Sequence, residues 1–206
     1  MLTDNFSQLF AKNSKDHELA NNLWLEIFTK YSDSKRHYHT IDHLEAMISD
    51  LKNVKDKVND WDTLLLAVFF HDIIYKAVSS TNEEDSAKIA KQRLTEAGYP
   101  IEKTEKCTRM ILATKLHNLS EDNDTNFLID VDLAILGKNE EEYRKYTEQI
   151  REEYNVYPDF IYNSGRKKVI QHLLRMEKIY KTEYFFEKYE KTARTNLVNE
   201  LQELEN

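Results

Sequence analysis

Residues 61–75 read WDTLLLAVFFHDIIY, and this stretch decides the fold. From Leu64 to Phe70 it is apolar on nearly every side, the pattern of a helix enclosed at a domain centre. It falls well short of the roughly 18 apolar residues that a membrane span needs, and no other stretch comes near that length. His71 and Asp72 stand at its end, where a polar pair has little reason to be buried unless something engages it.

Outward from this helix the same 3.6-residue period recurs. Leu19, Leu23, Ile27 and Tyr31 predict a helix from about Asp16 to Lys30, and Ile41, Leu44, Ile48, Leu51 and Val54 mark a second one after the polar connector SDSKRHYHT. His43 lies beside that second stripe. Thr81 with Glu84 fits a capping box for a helix running to about Ala97 and stopped by Gly98 and Pro100. A helix from Ile101 places Met110, Thr114 and His117 on one side, NLSEDND is a loop, and FLIDVDLAILG is an apolar helix ended by Gly137. Helices over 140–154, 159–176 and about 185–204 complete the chain. Only 3 Gly and 2 Pro occur in 206 residues, which removes the turn punctuation of a β-rich fold. The expected fold class is all-α, a single-domain helical bundle over 1–206 with no repeat or linker to divide it.

One cysteine, Cys107, excludes an internal disulfide and favours an intracellular, cytoplasmic setting. The start, MLTDNFSQLF, has no basic segment followed by an apolar run, so no secretory leader is expected. A net charge of −8 argues against a nucleic-acid polymer as partner, since phosphate backbones are bound by clustered Lys and Arg. A small anionic substrate remains compatible with that charge, as does a homo-oligomer; a membrane does not figure.

Imidazoles and carboxylates are the ligands of divalent metals. His39 and His43 are four apart and project from one face of a helix or its start. His71-Asp72 follows about 28 residues after His43, and Asp130 and Asp132 interrupt an apolar run about 60 residues later. Each piece alone has an ordinary explanation: connector histidines, a His favoured at a helix C-terminus, an Asp capping a helix. In that order, however, they resemble the HD superfamily of metal-dependent phosphohydrolases. The segments YHTIDH, FFHDIIY, NEEDSA, ILATKLH and IDVDLAILG, with the later IREEY, SGRKKVI and ARTNLVNEL, look like a bacterial family of predicted HD phosphohydrolases from about Arg36 to Leu201. The resemblance implies an HD core over about 36–137 with the helices of 139–204 packed on it.

It also implies a metal held by His43, His71, Asp72 and Asp132, the ion being Mn, Fe, Zn, Ni or Mg. YHTIDH is similar to the HNxxH motif of cyclic nucleotide phosphodiesterases, with Thr40 in place of Asn, and so His39 is the candidate general acid. Superfamily members with two metals place a further His near His117, giving it a role in binding phosphate or a second metal, and His117 is the alternative to His39 as donor of the leaving-group proton. Glu83, just after the His-Asp helix, is a candidate for orienting the attacking water. Arg36 and Arg166 are candidate phosphate clamps, because a guanidinium binds two oxygens at once. The function implied is metal-dependent hydrolysis of a phosphate ester, of a nucleotide or other small phosphorylated metabolite. A di-iron oxygenase of the same type and a metal-binding or nucleotide-binding regulatory protein are the alternatives. Neither a GxxxxGK[ST] loop nor a Ser or Cys nucleophile motif is present.

Residues two apart on a helix point about 200° apart, so Asp130 and Asp132 are expected to divide the work. Asp130, nearer the polar loop, is expected to cap its own helix, and Asp130→Asn should then cost no more than about 1 kcal/mol. Asp132 is left to face the metal, with Asp130 as its rival.

Overall fold

The computed structural model describes residues 2–12 and 16–205. Among them lie ten α-helices, two short 3-10 turns and no strand: α1 Leu2–Ala11, α2 His17–Tyr31, α3 Ile41–Lys52, α4 Trp61–Phe70, α5 Asn82–Glu96, α6 Ile101–Ala113, α7 Asn123–Asp132, α8 Glu140–Glu153, α9 Asp159–Arg175 and α10 Glu183–Glu205. None of these helices is long and apolar enough to cross a membrane.

α4 is the central rod. Every residue from Thr63 to Phe70 is buried, and α3, α5, α6 and α7 all pack around it. Its start is fixed by Asp60, which accepts from the Thr63 amide and hydroxyl. Asp124, fully buried in the first turn of α7, accepts from the Asn59 and Asp60 amides and so ties the two helix starts together. The chain after α7 tightens into a 3-10 turn, Leu133–Gly137, against which α8 and α10 pack. Gly137 is required there, because a Cβ would overlap the Tyr189 side chain and carbonyl. Gly98, with φ +73, supplies the left-handed turn that closes α5.

Four details depart from the sequence reading. α1 was not anticipated: its Phe6 and Phe10 are fully buried and meet Phe69 and Tyr99 edge-on. Thr81 makes no side-chain cap bond; its hydroxyl goes to Asp85, and Glu84 pairs with Lys115 instead of closing a capping box. α6 ends at Ala113, so His117 is not on its stripe but beyond it, in a left-handed turn with φ 51. Finally, α7 starts at Asn123, capped by Asp122, well before the loop boundary expected.

That last difference changes the role of Asp130, which is a cap for a different helix. Fully buried, it accepts from the Lys181 amide at 2.6 Å and from the Thr182 amide and hydroxyl at 2.7 and 2.6 Å, the residues that lead into α10. Asp130→Asn therefore turns an amide donor toward backbone donors in a buried place. The expected cost rises to about 1–3 kcal/mol by denaturant titration, with metal binding retained; a change within a few tenths of a kcal/mol would refute this clamp.

Candidate metal centre

Three helix ends bring the chemistry together. His43 sits in the first turn of α3 and is buried; His71 caps the C-terminus of α4 with no exposed surface; Asp132 is the last residue of α7. The ligand atoms of these three lie within 4.8 Å of one another. One carboxylate oxygen, Asp132 Oδ1, is 3.3 Å from His43 Nε2 and 3.6 Å from His71 Nε2. Asp72 Oδ2 stands 3.2 Å from His71 Nε2, and His117 Nε2 is 2.9 Å from the other Asp132 oxygen. His39 Nε2 lies at the edge, 3.8 Å from Asp72 Oδ2. Asp72, Asp132, His39 and His117 keep 14–19% of their side chains exposed, so the cluster has a buried imidazole floor and an open rim.

The residues fit a divalent ion. His71 Nδ1 is 2.8 Å from the Val68 carbonyl, one of those left free at the end of α4. A carbonyl only accepts, so Nδ1 carries a proton, and in the neutral ring Nε2 presents a lone pair to the cluster. Both His43 Nε2 and His71 Nε2 are buried without a hydrogen-bond partner, a costly state that a cation relieves. Ligand atoms about 2.0–2.2 Å from a shared ion stand roughly 3.0–3.5 Å from each other, close to the 3.3 and 3.6 Å found.

The electrostatics agree. Burial, only partly opposed by Asp132, pushes His43 below the usual imidazole range and keeps it neutral. Burial acts the same way on His71, but the Asp72 charge and the contacts with the Asp132 and Asp72 carboxylates outweigh it and hold that ring well above the range. Burial of Asp132 is outweighed by His117, His43 and His71, which hold its carboxyl well below the ordinary value. An ion entering must displace the proton on His71, so uptake releases protons and weakens in acid.

The second half of the site comes from the C-terminal third and was missed in the sequence. Glu153, the last residue of α8, has a side chain with no exposure. Its Oε1 accepts from three successive amides, His37, Tyr38 and His39, each at 2.9 Å, and its Oε2 meets His39 Nδ1 at 2.7 Å. Tyr75 stacks on the other side of the His39 ring, centroids 4.0 Å apart. His39 is thus fixed in plane and tautomer, with Nε2 turned to the rim. Burial opposes charge on His39, yet the Glu153 bond and the Asp72 carboxylate prevail and raise the ring above its usual range.

Burial likewise opposes charge on Glu153, but the His39 ring and the backbone amides prevail and hold it down to about 2. A carboxyl depressed in the folded state stabilises above its unfolded pKa near 4.5 and loses that contribution as pH falls toward 2. In metal-free protein, Glu153→Gln is expected to remove a few kcal/mol of stability at pH 6. The gap to wild type should narrow below pH about 4; a gap independent of pH in denaturant titrations would refute the charge assignment.

Other residues singled out in the sequence have different occupations. Arg36 is buried and donates to the carbonyls of His39, Asp72 and Ile73 at 3.2, 2.7 and 3.1 Å, its guanidinium 4.7 Å over the Tyr31 ring. It braces the two segments that carry His39 and Asp72 and is not a phosphate clamp. Tyr31 completes that brace by accepting from the Asp72 amide. Arg166 is buried against Glu200 and Tyr146, a link between α9, α10 and α8 that leaves no fork for phosphate. Glu83 is half-buried in the first turn of α5, and its charge acts on Lys115; no bond joins it to the cluster.

Compared with family models, curated proteins and solved structures, the chain finds no match.

Proposed function

We propose that this protein is a metal-dependent phosphohydrolase of the HD type, acting on a phosphate ester of a small metabolite. The observation that carries the reading is the convergence of two buried, unpartnered imidazole nitrogens on Asp132, with a separately oriented histidine at the rim. His43, His71 and Asp132 would hold the ion, with Asp72 beside them as fourth ligand. When bound, a divalent ion supplies Lewis acidity toward phosphoryl oxygens and lowers the pKa of water.

The chain's own residues supply the rest. The carboxylates and His71 leave the rim side open, so substrate approaches past His39 and His117. His39, with Nδ1 anchored on Glu153, directs Nε2 outward and delivers a proton to the departing oxygen. His117, bonded to Asp132, orients that carboxylate and offers its ring to a phosphoryl oxygen.

A panel of phosphomonoesters, nucleotides and cyclic dinucleotides, assayed with Mn, Co, Ni, Mg and Zn, tests the reading. Metal-dependent release of phosphate or of a nucleoside monophosphate is expected for at least one class. A metal-loaded protein inert across the panel would overturn the hydrolase assignment.

A further inference from the structure

Tyr38 stands between the metal cluster and His39. Its ring is 4.9 Å from the His43 ring and 5.0 Å from the His39 ring, centroid to centroid, and Tyr146 of α8 approaches it to 4.7 Å. The backbone is pinned as well: the Tyr38 amide donates to Glu153 Oε1 at 2.9 Å, and the Tyr38 carbonyl accepts from the Thr40 amide at 2.8 Å. A ring held in this way has little freedom left to lose when a ligand arrives.

The hydroxyl of this ring differs from those of the buried tyrosines, each of which has a partner. Tyr31 accepts from the Asp72 amide, Tyr99 and Tyr180 donate to carbonyls, Tyr143 pairs with Glu200, Tyr146 with Arg166 and Tyr189 with Asp50. The hydroxyl of half-buried Tyr75, which stacks on His39, is taken up with Glu153 and Tyr154. The Tyr38 hydroxyl makes no hydrogen bond with any described residue and, unlike His43 Nε2 and His71 Nε2, is open to solvent.

Its direction follows from the charges around it. Among the carboxylates Asp132 weighs most on the phenol, then Asp72, and Glu153 least. Glu153 is nevertheless the one bonded to the Tyr38 amide, so the ring carries its hydroxyl away from Glu153 and toward the two aspartates of the cluster. Among the described residues those aspartate carboxylates pair only with histidines. A phosphoryl group seated there therefore finds imidazoles and this phenol as its side-chain donors.

We propose that Tyr38 is a substrate-binding residue whose hydroxyl donates a hydrogen bond to a non-bridging phosphoryl oxygen of the ester held at the metal centre. The proposal rests on the phosphohydrolase reading, and it gives to a neutral donor the task that Arg36 and Arg166 do not perform. A phenol suits the place, because a cationic side chain beside His43 and His71 would repel the ion that they hold.

Inorganic phosphate is titrated calorimetrically into wild-type and Tyr38→Phe protein, each loaded with Mn and freed of excess ion. The substitution keeps the ring and its packing. Wild type is expected to bind phosphate saturably and the variant roughly 10–100-fold more weakly, the weight of a hydrogen bond to a charged group. Its metal content should be unchanged and its denaturant midpoint unchanged or raised, because the hydroxyl has no partner to lose. Equal phosphate affinity in the two proteins, loss of Mn from the variant, a lowered midpoint, or no phosphate binding by wild type would overturn the proposal. Failure of the phosphohydrolase reading shows separately, as a protein that binds phosphate through Tyr38 yet releases none from any ester of the panel.

Discussion

Asp132→Asn and His71→Ala each strip the purified protein of stoichiometric divalent metal, as read by elemental analysis after gel filtration. Each removes one of the few atoms able to touch the ion. Partners outside the coordination sphere are worth about 10–100-fold in metal affinity, so loss of a ligand is expected to exceed about 100-fold. Asp130→Asn, two residues away, is the control, because its carboxylate is engaged with Lys181 and Thr182. Metal retained by Asp132→Asn and lost from Asp130→Asn would exchange the two roles; metal retained by all three variants would refute the site.

His39→Ala keeps its metal and loses turnover by about 10²–10⁴-fold, the range of general acid catalysis. The ring meets the cluster only at its edge, 3.8 Å from Asp72 and edge-on to His43, whereas its Nδ1 anchor fixes where Nε2 can deliver a proton. The deficit should be greatest for alkyl phosphates, whose leaving oxygen needs that proton, and least for aryl phosphates with acidic leaving groups. Steady-state rates on the two substrate types decide the matter; equal losses on both would assign His39 a structural task.

Local chemistry made part of this legible. The run 64–70 announces a buried helix because no face of it is polar, and the histidines and aspartates that interrupt apolar stretches stand out against it. His43, His71 and Asp132 do meet in the fold. What stayed hidden depends on distant pairing. Glu153 is one acid among 37, in the last turn of an acidic helix, and nothing in its neighbours points to a loop more than 110 residues earlier. Arg36 has the residue type of a phosphate clamp, but which acceptors a guanidinium meets is set by how α4 ends beside the connector. Asp130 has the residue type of a cap and acts as one, for the strap that leads into α10, some 50 residues later. In α1, Leu2, Phe6, Leu9 and Phe10 do follow helical spacing and are all buried, but ten residues are too few to hold a helix alone, and tertiary contact with Phe69 and Tyr99 stabilises it.

The clamp between Asp130 and Thr182 also has a temporal meaning. A ribosome adds about 5–20 residues per second, so residue 182 is made roughly 3–10 s after Asp132. During that interval a nascent chain already holds His43, His71 and Asp132 but lacks the strap that steadies the end of α7, and for part of it lacks Glu153 as well. The end of α7 therefore takes its final, clamped form only after the strap and α10 have been made and docked.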